Sequence, residues 1–376
     1  MLAFAPIALL SRASLSALAV AHASGTSTDL GGCPLFPPDN IWNVPVDTLP
    51  VDPNSAAYIQ TIGANVGLHP DFGTFWEGAP IGIPYIVVPH DQTLVEISFY
   101  YPTQSDPGPY PIPPDAPIEG GPESDGDRHI LIVQVGEDGS PCTLWEIFDA
   151  TPNRDGTWSA GSGARWDLSS NVLRPDGWTS ADAAGLPILP GLVRYDEVLS
   201  GSIDHALRFT TVPTRGEHLW PARHDASPST NPAHPPMGQR FRLKASYDIS
   251  GFPPEVRTIL QAMKTYGIIL ADNGSDWYIT GTHDTRWDDE VLSTISAVKG
   301  SQFEAVDVSS LMVDADSGQA AGRVDSDLTG DGLVNAGDLA LMLGAWGSAG
   351  GPADLNGDGT VDAADLSILL GAWTLP

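Results

Sequence analysis

Residues 327–346 read DLTGDGLVNAGDLALMLGAW, and residues 354–373 read DLNGDGTVDAADLSILLGAW. The second stretch aligns with the first without gaps at an offset of 27 residues, which indicates that one structural unit occurs twice. Near the end of each copy, apolar residues are spaced i, i+3, i+4 and i+7, as on one face of a helix. These residues are Leu339, Met342, Leu343 and Trp346 in the first copy and Leu366, Leu369, Leu370 and Trp373 in the second. The repeat predicts a small all-α domain in which two short apolar helix faces pack together.

Each copy begins with a loop in which oxygen-bearing side chains recur at fixed positions. The spacing is that of an EF-hand calcium loop, with side-chain oxygens at positions 1, 3, 5, 9 and 12, glycine at 6 and a main-chain carbonyl at 7. The first loop offers Asp327, Thr329, Asp331, Leu333 (carbonyl), Asn335 and Asp338, and the second offers Asp354, Asn356, Asp358, Thr360 (carbonyl), Asp362 and Asp365. We therefore expect two calcium ions, and tighter binding by the second loop, which carries four acids against three in the first.

Together, the two loop-helix repeats of residues 327–376 resemble the type I dockerin, a calcium-binding module that docks into cohesins. Dockerins commonly accompany secreted enzymes that degrade polysaccharides, so the resemblance implies an extracellular protein with a cohesin-like or cell-surface partner. Loop positions 10 and 11 often carry the hydroxyl pair that reads the cohesin in cellulosomal dockerins. Here they are Ala336-Gly337 and Ala363-Ala364. The resemblance thus implies calcium binding, while these positions depart from the family's cohesin-reading pattern.

Upstream of the repeat, the chain divides into three further parts. Residues 1–23 are interpreted as a signal peptide, because the apolar stretch 13–21 is followed by an A-x-A cleavage pattern at 21–23. Residues 24–312 form the expected β-rich core, and residues 313–326, which lack hydrophobic periodicity, are expected to be a flexible linker. No later window holds about 18 uninterrupted apolar residues, so no transmembrane span is expected.

The composition and the charge limit the class of protein. With 34 Pro, 40 Gly and 41% hydrophobic residues in a chain of 376, a turn-rich folded protein is expected. The 47 acidic residues outnumber the 17 basic ones and give a formal charge of −30. Such a surface repels phosphate backbones and anionic lipids, so we expect no nucleic-acid or membrane partner. The two cysteines, Cys33 and Cys142, could pair in an exported protein, or could remain two free thiols.

Within the core, short apolar runs bounded by Pro, Gly or Asp predict strands joined by turns. The runs are 81–89, 94–101, 130–135, 143–148, 205–210, 240–245, 268–271 and 277–281. Three segments predict helices, namely 55–62, 255–266 and 288–298. This pattern favours a mainly β core, an antiparallel sandwich or a jelly-roll-like fold with a few helices. The segment 103–126, dense in Pro, Gly and Asp, is expected to be either a binding loop or loosely ordered.

Polar residues that could carry chemistry cluster at the ends of the predicted strands. The catalytic candidates are Asp127, His129, His205, His224 and Asp272, because a strand end is a rigid frame that can aim a side chain into a shared pocket. Nine Trp residues of the core could also stack on sugar faces. Two alternatives for the histidines stay open. Four of them, His69, His129, His205 and His224, could form a transition-metal site with Asp71 and Asp127, or each could be a hydrogen-bonded residue at a strand edge.

Three functions remain compatible with these residues. The leading interpretation is a secreted enzyme of polysaccharide breakdown that hydrolyses O-glycosidic bonds, for which two carboxyl groups about 5–9.5 Å apart are needed, one with a raised pKa. The second is a polysaccharide lyase, which needs a base and a cation or amide to neutralise a uronate. Groups of those types are His129, Arg194, Tyr195, Arg208 and Asn273. The third is a non-catalytic protein for glycan binding or surface attachment. No G-x-S-x-G elbow, P-loop, dinucleotide fingerprint or H-E-x-x-H motif occurs, so the enzyme classes that use them are not favoured.

Overall fold

The computed structural model describes residues 30–137, 140–321, 326, 328–329, 334–355 and 360–373. Its α-helices are α1 (Ser55–Ile62), α2 (Tyr195–Ser200), α3 (Pro254–Thr265), α4 (Asp289–Ser293), α5 (Ala336–Gly344) and α6 (Ala363–Gly371). Short 3-10 helices are Leu189–Gly191, Thr294–Ala297, Gly300–Gln302 and Ser309–Leu311. Its strands are β1 (His69–Asp71), β2 (Phe75–Trp76), β3 (Ala79–Pro80), β4 (Tyr85–Val88), β5 (Ile97–Phe99), β6 (Ile130–Gln134), β7 (Thr143–Phe148), β8 (Thr151–Pro152), β9 (Trp158–Ala160), β10 (Ser162–Asp167), β11 (Leu207–Thr211), β12 (Arg215–His218), β13 (Pro236–Met237), β14 (Arg240–Leu243), β15 (Ile268–Asn273), β16 (Tyr278–Thr280) and β17 (Phe303–Val306). The expected signal peptide, residues 1–23, and the expected calcium ligands Asp327, Asp331, Leu333, Asn356 and Asp358 lie outside the described residues.

The larger sheet has six strands in the order β1, β16, β11, β15, β14, β17. β1 pairs with β16 and β11 pairs with β15 in parallel, whereas the other neighbours are antiparallel. Helix α3 packs against β14. It begins at Pro254, a position where proline is tolerated because a first-turn N–H has no partner inside the helix. Val256, Ile259, Leu260 and Met263 recur at helical spacing and are all buried in the main core.

The four-stranded sheet, in the order β10, β7, β6, β4, separates two hydrophobic cores. Successive side chains of a strand point to opposite faces. On β6, Leu131 and Val133 therefore enter the main core, while Ile130 and Ile132 enter a second core. Burial on both faces explains why the sequence of β6 is a continuous apolar run rather than an alternation.

The predicted mainly β class with few helices is confirmed. Each of the eight predicted runs coincides with a strand, and α1 has the predicted bounds. The sheets are mixed rather than purely antiparallel, because β4 and β6, like the two pairs named above, run parallel. The helix expected over 288–298 is split into α4 and the 3-10 helix Thr294–Ala297, which buries Ile295.

Cys33 and Cys142 form a disulfide, with 5.8 Å between their Cα atoms. Of the two alternatives for these cysteines, the paired one is therefore correct. Cys142 immediately precedes β7, so the bond ties the N-terminal segment to the four-stranded sheet across 109 residues of chain.

The Pro-rich segment 103–126 is anchored by apolar side chains. Tyr110 is fully buried and its main chain pairs with that of Val95. Ile112 and Ile118 also lie in the second core. The segment is therefore held against the sheet rather than loosely ordered, and its early residue Gln104 reaches the pocket described below.

Residues 313–321, assigned from the sequence to the linker, lie against the core. The indole of Trp220 donates to the carbonyl of Ser317 (2.7 Å), and Arg223 Nη1 donates to the carbonyl of Ala315 (2.7 Å). Gln319 forms a bridge with Asn40. The core therefore extends past the boundary expected at residue 312. The sequence did not indicate this, because main-chain contacts leave no hydrophobic periodicity.

The C-terminal helices α5 and α6 share a small apolar cluster of their own, which includes Met342, Val361 and Leu369. Each helix begins with a capping box, with Asn335 at the N-cap of α5 and Asp362 at that of α6. A capping box satisfies main-chain N–H groups that have no partner inside a helix. The predicted small helical domain is confirmed. None of the helices in the described parts of the chain is long and apolar enough to cross a membrane.

Candidate functional site

A pocket of about 370 Å³ opens beside the ends of the two large sheets. Its volume lies in the range of small-molecule sites. Asp272 comes from the end of β15, Asp127 from the residues that lead into β6, and His224 from the loop after β12. The pocket therefore brings together three of the five catalytic candidates, and strand ends position two of them as expected. Asp182, from the loop that precedes α2, joins them.

Arg208 holds the two neighbouring carboxyl groups of the pocket. Its Nε and Nη2 donate to Asp182 at 2.7 and 2.9 Å, in a bidentate pair, and Nη1 donates to the hydroxyl of Thr280 at 2.6 Å. Nη2 also lies 3.4 Å from Asp272 Oδ2. The side chain of Asp182 is fully buried, whereas that of Asp272 is 21% exposed. Of the two carboxyl groups, only that of Asp272 has a surface that a ligand in the pocket can reach.

The electrostatic environment favours the protonated form of Asp272. Burial raises the pKa of Asp272 well above its ordinary value, and the neighbouring Asp182 carboxylate raises it further. Arg208 lowers the pKa but does not offset these effects. Two carboxyl groups that share one site cannot both ionise easily, since like charges repel. Asp272 is therefore a carboxyl group that keeps its proton to higher pH than an ordinary aspartic acid.

His224 lies in the pocket with a defined tautomer. Its Nδ1 is 2.8 Å from the carbonyl oxygen of Ala183. A carbonyl oxygen can only accept, so Nδ1 carries the hydrogen, and Nε2 of the neutral ring is an acceptor. No residue that the structure describes donates a hydrogen bond to this Nε2, which leaves it available to a bound molecule.

His129 lies beneath the pocket and does not line it. Its Nδ1 lies 2.6 Å from Glu119 Oε2, and its Nε2 lies 3.0 Å from the carbonyl oxygen of Ala181. Both partners are acceptors, so both ring nitrogens carry hydrogen and the ring is an imidazolium. Burial alone would lower the pKa of His129, but the charge and hydrogen bond of Glu119 raise it to about 9. This ion pair supports Ala181 in the pocket wall and is a positioning contact.

His205 lies in a separate cluster. Its ring contacts the carbonyl oxygen of Ala206 (2.8 Å) and Glu197 Oε2 (3.2 Å), and Arg194 also pairs with Glu197. None of these residues lines the pocket. The structure therefore does not bring His205 together with the other candidates.

The histidine contacts also decide between the two alternatives for these side chains. Across the described ranges, no group of three or more His, Cys, Asp and Glu side chains is arranged to hold a metal ion. His129, His205 and His224 each bond to a carbonyl oxygen. The structure therefore supports the interpretation as hydrogen-bonded residues for these three histidines. The ring of the fourth, His69, instead stacks on Tyr278 with 4.1 Å between ring centroids.

Aromatic side chains form the outer wall of the pocket. Tyr101 and Phe148 line it, and Tyr100 stands beside Tyr101 with 4.8 Å between ring centroids. Tyr100 is 78% exposed. In the described core, Trp76 is the one largely exposed Trp, and it does not line the pocket. The flat apolar surface at the pocket is thus supplied by Tyr and Phe rather than by the Trp residues that the sequence suggested.

The described part of the calcium loops fits a hard cation. The side chains of Asp338 and Asp365, at position 12 of each loop, are fully buried. Main-chain N–H groups of Asn335 and Thr329 donate to Asp338 and lower its pKa, so it is a carboxylate. No Lys, Arg or His follows Arg323 in the sequence. Buried carboxylates with no basic side chain in their own domain need a cation to balance them, and oxygen ligands of this kind suit calcium.

Comparison with known proteins identifies the C-terminal part alone. Residues 325–371 match the type I dockerin domain family, which confirms the resemblance seen in the repeat. No curated protein and no solved structure matches the chain. Type I dockerin domains bind calcium and cohesins, and they occur in secreted, cell-surface-attached proteins.

Proposed function

We propose that the core hydrolyses O-glycosidic bonds of a polysaccharide, with Asp272 as the general acid. The observation that carries this proposal is that Asp272, a carboxyl group of raised pKa, lies on the wall of a 370 Å³ pocket that Asp127 and aromatic side chains also line. Glycoside hydrolysis uses such an acid to protonate the leaving oxygen, and the ring faces of sugars pack on aromatic side chains. The dockerin domain supports a role outside the cell.

The other pocket residues fit distinct parts of this reaction. Asp127 is an exposed carboxyl group whose main chain is fixed by the N–H of Asp149 at 2.8 Å. It serves as the second carboxyl group, either to take a proton from water or to attack the sugar directly. His224 Nε2 accepts a hydrogen bond from a substrate hydroxyl. Asp272 donates its proton to the leaving-group oxygen as the glycosidic bond breaks, and takes a proton back from water when the cycle ends.

Charge favours hydrolysis over lyase chemistry. A lyase needs a cation or amide that neutralises the uronate carboxylate. Among the described residues that line the pocket there is no Lys or Arg. Arg208 is buried and is already paired with Asp182, Thr280 and Asp272. Of the other groups considered for a lyase, His129, Arg194 and Tyr195 do not line the pocket. Asn273 does line it, but its Nδ2 donates to the carbonyl of Ala226 at 3.0 Å and its Oδ1 accepts from the hydroxyl of Thr214 at 2.6 Å. An uncharged sugar chain therefore fits this pocket better than an acidic one.

The tail completes the proposal. Two calcium ions bind the loops through the twelve ligand positions given above, with the second loop tighter because of its additional acid. The folded tail then attaches the enzyme to a cohesin-like or cell-surface partner, and residues 1–23 direct export. These roles place the core beside an extracellular polysaccharide.

A reducing-end assay over a panel of neutral and acidic polysaccharides tests the proposal. The full chain in calcium should release new reducing ends from a neutral glycan, and Asp272→Asn should lose about 10²- to 10⁴-fold in rate, the usual contribution of a general acid. Asp248→Asn, at an exposed turn away from the pocket, is the matched control. Unsaturated products would instead identify a lyase. A glycan that binds without yielding new ends would identify the non-catalytic alternative.

A further inference from the structure

A pair of tyrosines extends the pocket wall toward solvent. Tyr101 lines the pocket, and the ring of Tyr100 meets that of Tyr101 nearly at right angles, at 88°. Tyr100 does not line the pocket itself and is 78% exposed. An aromatic ring left this open to water gains little stability from burial, because the hydrophobic effect depends on the area removed from water. Its placement beside the pocket is therefore not explained by packing.

The main chain at these tyrosines is held in place by hydrogen bonds. The N–H of Tyr100 donates to the carbonyl of Ala160, and that of Tyr101 donates to the carbonyl of Gly161, both at 2.9 Å. The hydroxyl of Ser105 donates to the carbonyl of Tyr101 at 2.8 Å. A ring presented on a fixed main chain loses little conformational entropy when a ligand packs against it, so its contribution to affinity is larger than that of a ring on a mobile loop.

A polar side chain at the same rim suits sugar hydroxyls. Gln104 lines the pocket, and its Oε1 accepts a hydrogen bond from the N–H of Thr179 at 3.1 Å. This contact orients the amide, and no residue that the structure describes accepts from its Nε2. The rim thus offers an apolar ring face and an amide donor, and these suit the C–H face and the hydroxyl groups of a sugar ring.

We propose that Tyr100 binds a sugar unit of the same glycan outside the pocket, so that the protein prefers chains longer than the pocket alone can hold. This inference rests on the proposed function only in that the pocket must bind a glycan. The occupant is the continuation of that chain, because the surface of Tyr100 is continuous with the pocket wall through Tyr101.

Binding of an oligosaccharide ladder measured by calorimetry tests the inference. The full-length Asp272→Asn protein in calcium is the parent, so that bound chains are not cleaved, and the probes are gluco-, xylo-, manno- and chito-oligosaccharides of increasing length. Tyr100→Ala should weaken binding of the long chains by about 2- to 12-fold, the range of a single aromatic contact, and should leave the shortest bound chain unchanged. Tyr100→Phe keeps the ring and should bind like the parent.

Trp76→Ala is the matched control, since Trp76 is 69% exposed but lies on the β2–β3 hairpin and not at the pocket. It should bind every chain like the parent. If Tyr100→Ala binds the longest chain as tightly as the parent, or loses affinity equally for all lengths, Tyr100 is not an external sugar site and the inference is wrong. If the parent binds no member of any ladder, the proposed function fails as well, so the two failures are distinguishable.

Discussion

Replacement of Glu146 by Gln should change how the stability of the core depends on pH. Glu146 lies in the middle of β7 and its side chain is fully buried. Its Oε1 accepts hydrogen bonds from the N–H groups of Ile188 and Leu189, both at 2.9 Å. A glutamine Oε1 can accept both bonds, so Glu146→Gln removes the ionisable group and keeps these two contacts, while the additional 2.9 Å contact of Oε2 with the N–H of Ile188 is lost. The pocket segment 179–183 lies a few residues before these two donors.

The magnitude follows from the pKa of the buried group. Burial raises the pKa of Glu146 from 4.5 to about 7, although the two N–H groups oppose this rise. Between these two pH values the folded protein holds a proton that the unfolded chain has lost, so stability falls as the pH rises through this interval. The interval from 4.5 to about 7 corresponds to a loss on the order of 3 kcal/mol. Below pH 4.5, where Glu146 is protonated in both the folded and the unfolded chain, the stability of the folded state is not reduced by this group.

Denaturation in guanidinium at constant calcium, from pH 4.5 to pH 8, measures this effect. The free energy of unfolding of the wild type should fall relative to that of Glu146→Gln by about 3 kcal/mol across the range, with most of the change below pH 7. Glu123→Gln, at an exposed glutamate, controls for the loss of one negative charge and should track the wild type. A constant difference between wild type and Glu146→Gln at all pH values would show that Glu146 does not titrate in this interval, and the reasoning would be wrong.

Three further outcomes are expected. Asp182→Asn removes a negative charge that, together with burial, raises the pKa of Asp272, and it leaves Arg208 to favour the ionised form of Asp272. The alkaline limb of the pH–rate profile should therefore move to lower pH, and an unmoved limb would contradict the role of Asp272 as general acid. Replacement of both Cys33 and Cys142 by Ala should lower the free energy of unfolding by about 5 kcal/mol, because the unfolded chain loses a cross-link that spans 109 residues. Denaturation of the wild type, with and without reductant, and of the double variant measures this, and equal stability of the two proteins would refute the expected contribution of the disulfide. A chelator should abolish the helix content of the isolated tail, residues 327–376, in circular dichroism, and a tail that stays helical without calcium would contradict the proposed coupling.

Local patterns in the sequence were sufficient to predict the strands and helices of the fold. The run that forms β7 and the helix α1 were predicted with their observed bounds, because periodicity and turn residues act within a few positions. The same holds for the C-terminal repeat. Segment 313–321 was mistaken for linker because main-chain hydrogen bonds to Trp220 and Arg223, rather than apolar side chains, hold it on the core.

The site was predicted less completely because its members converge from distant parts of the chain. Asp182 is 26 residues from Arg208, and Asp272 is 64 residues from it. His129 and His205 look alike in the sequence, since each lies at the start of an apolar run. In the structure, His129 lies beneath the pocket, whereas His205 lies in a separate cluster of charged side chains. Only the packing of sheets against loops distinguishes them.

Salt affects the buried charges around Asp272 and the surface charges of the whole protein to different extents. Burial and three charged groups together set the pKa of Asp272, and the side chains of those groups, Arg208, Asp182 and His129, are at most 5% exposed. Buried charges of this kind are screened little by salt, whereas the surface charges that make up the formal −30 are screened within about 10 Å at 0.1 M salt. The acidity of Asp272 is thus fixed by the fold, while the repulsion of acidic glycans by the surface depends on the medium. Discrimination against acidic glycans that persists in high salt must therefore arise inside the pocket, where no described Lys or Arg can receive a carboxylate.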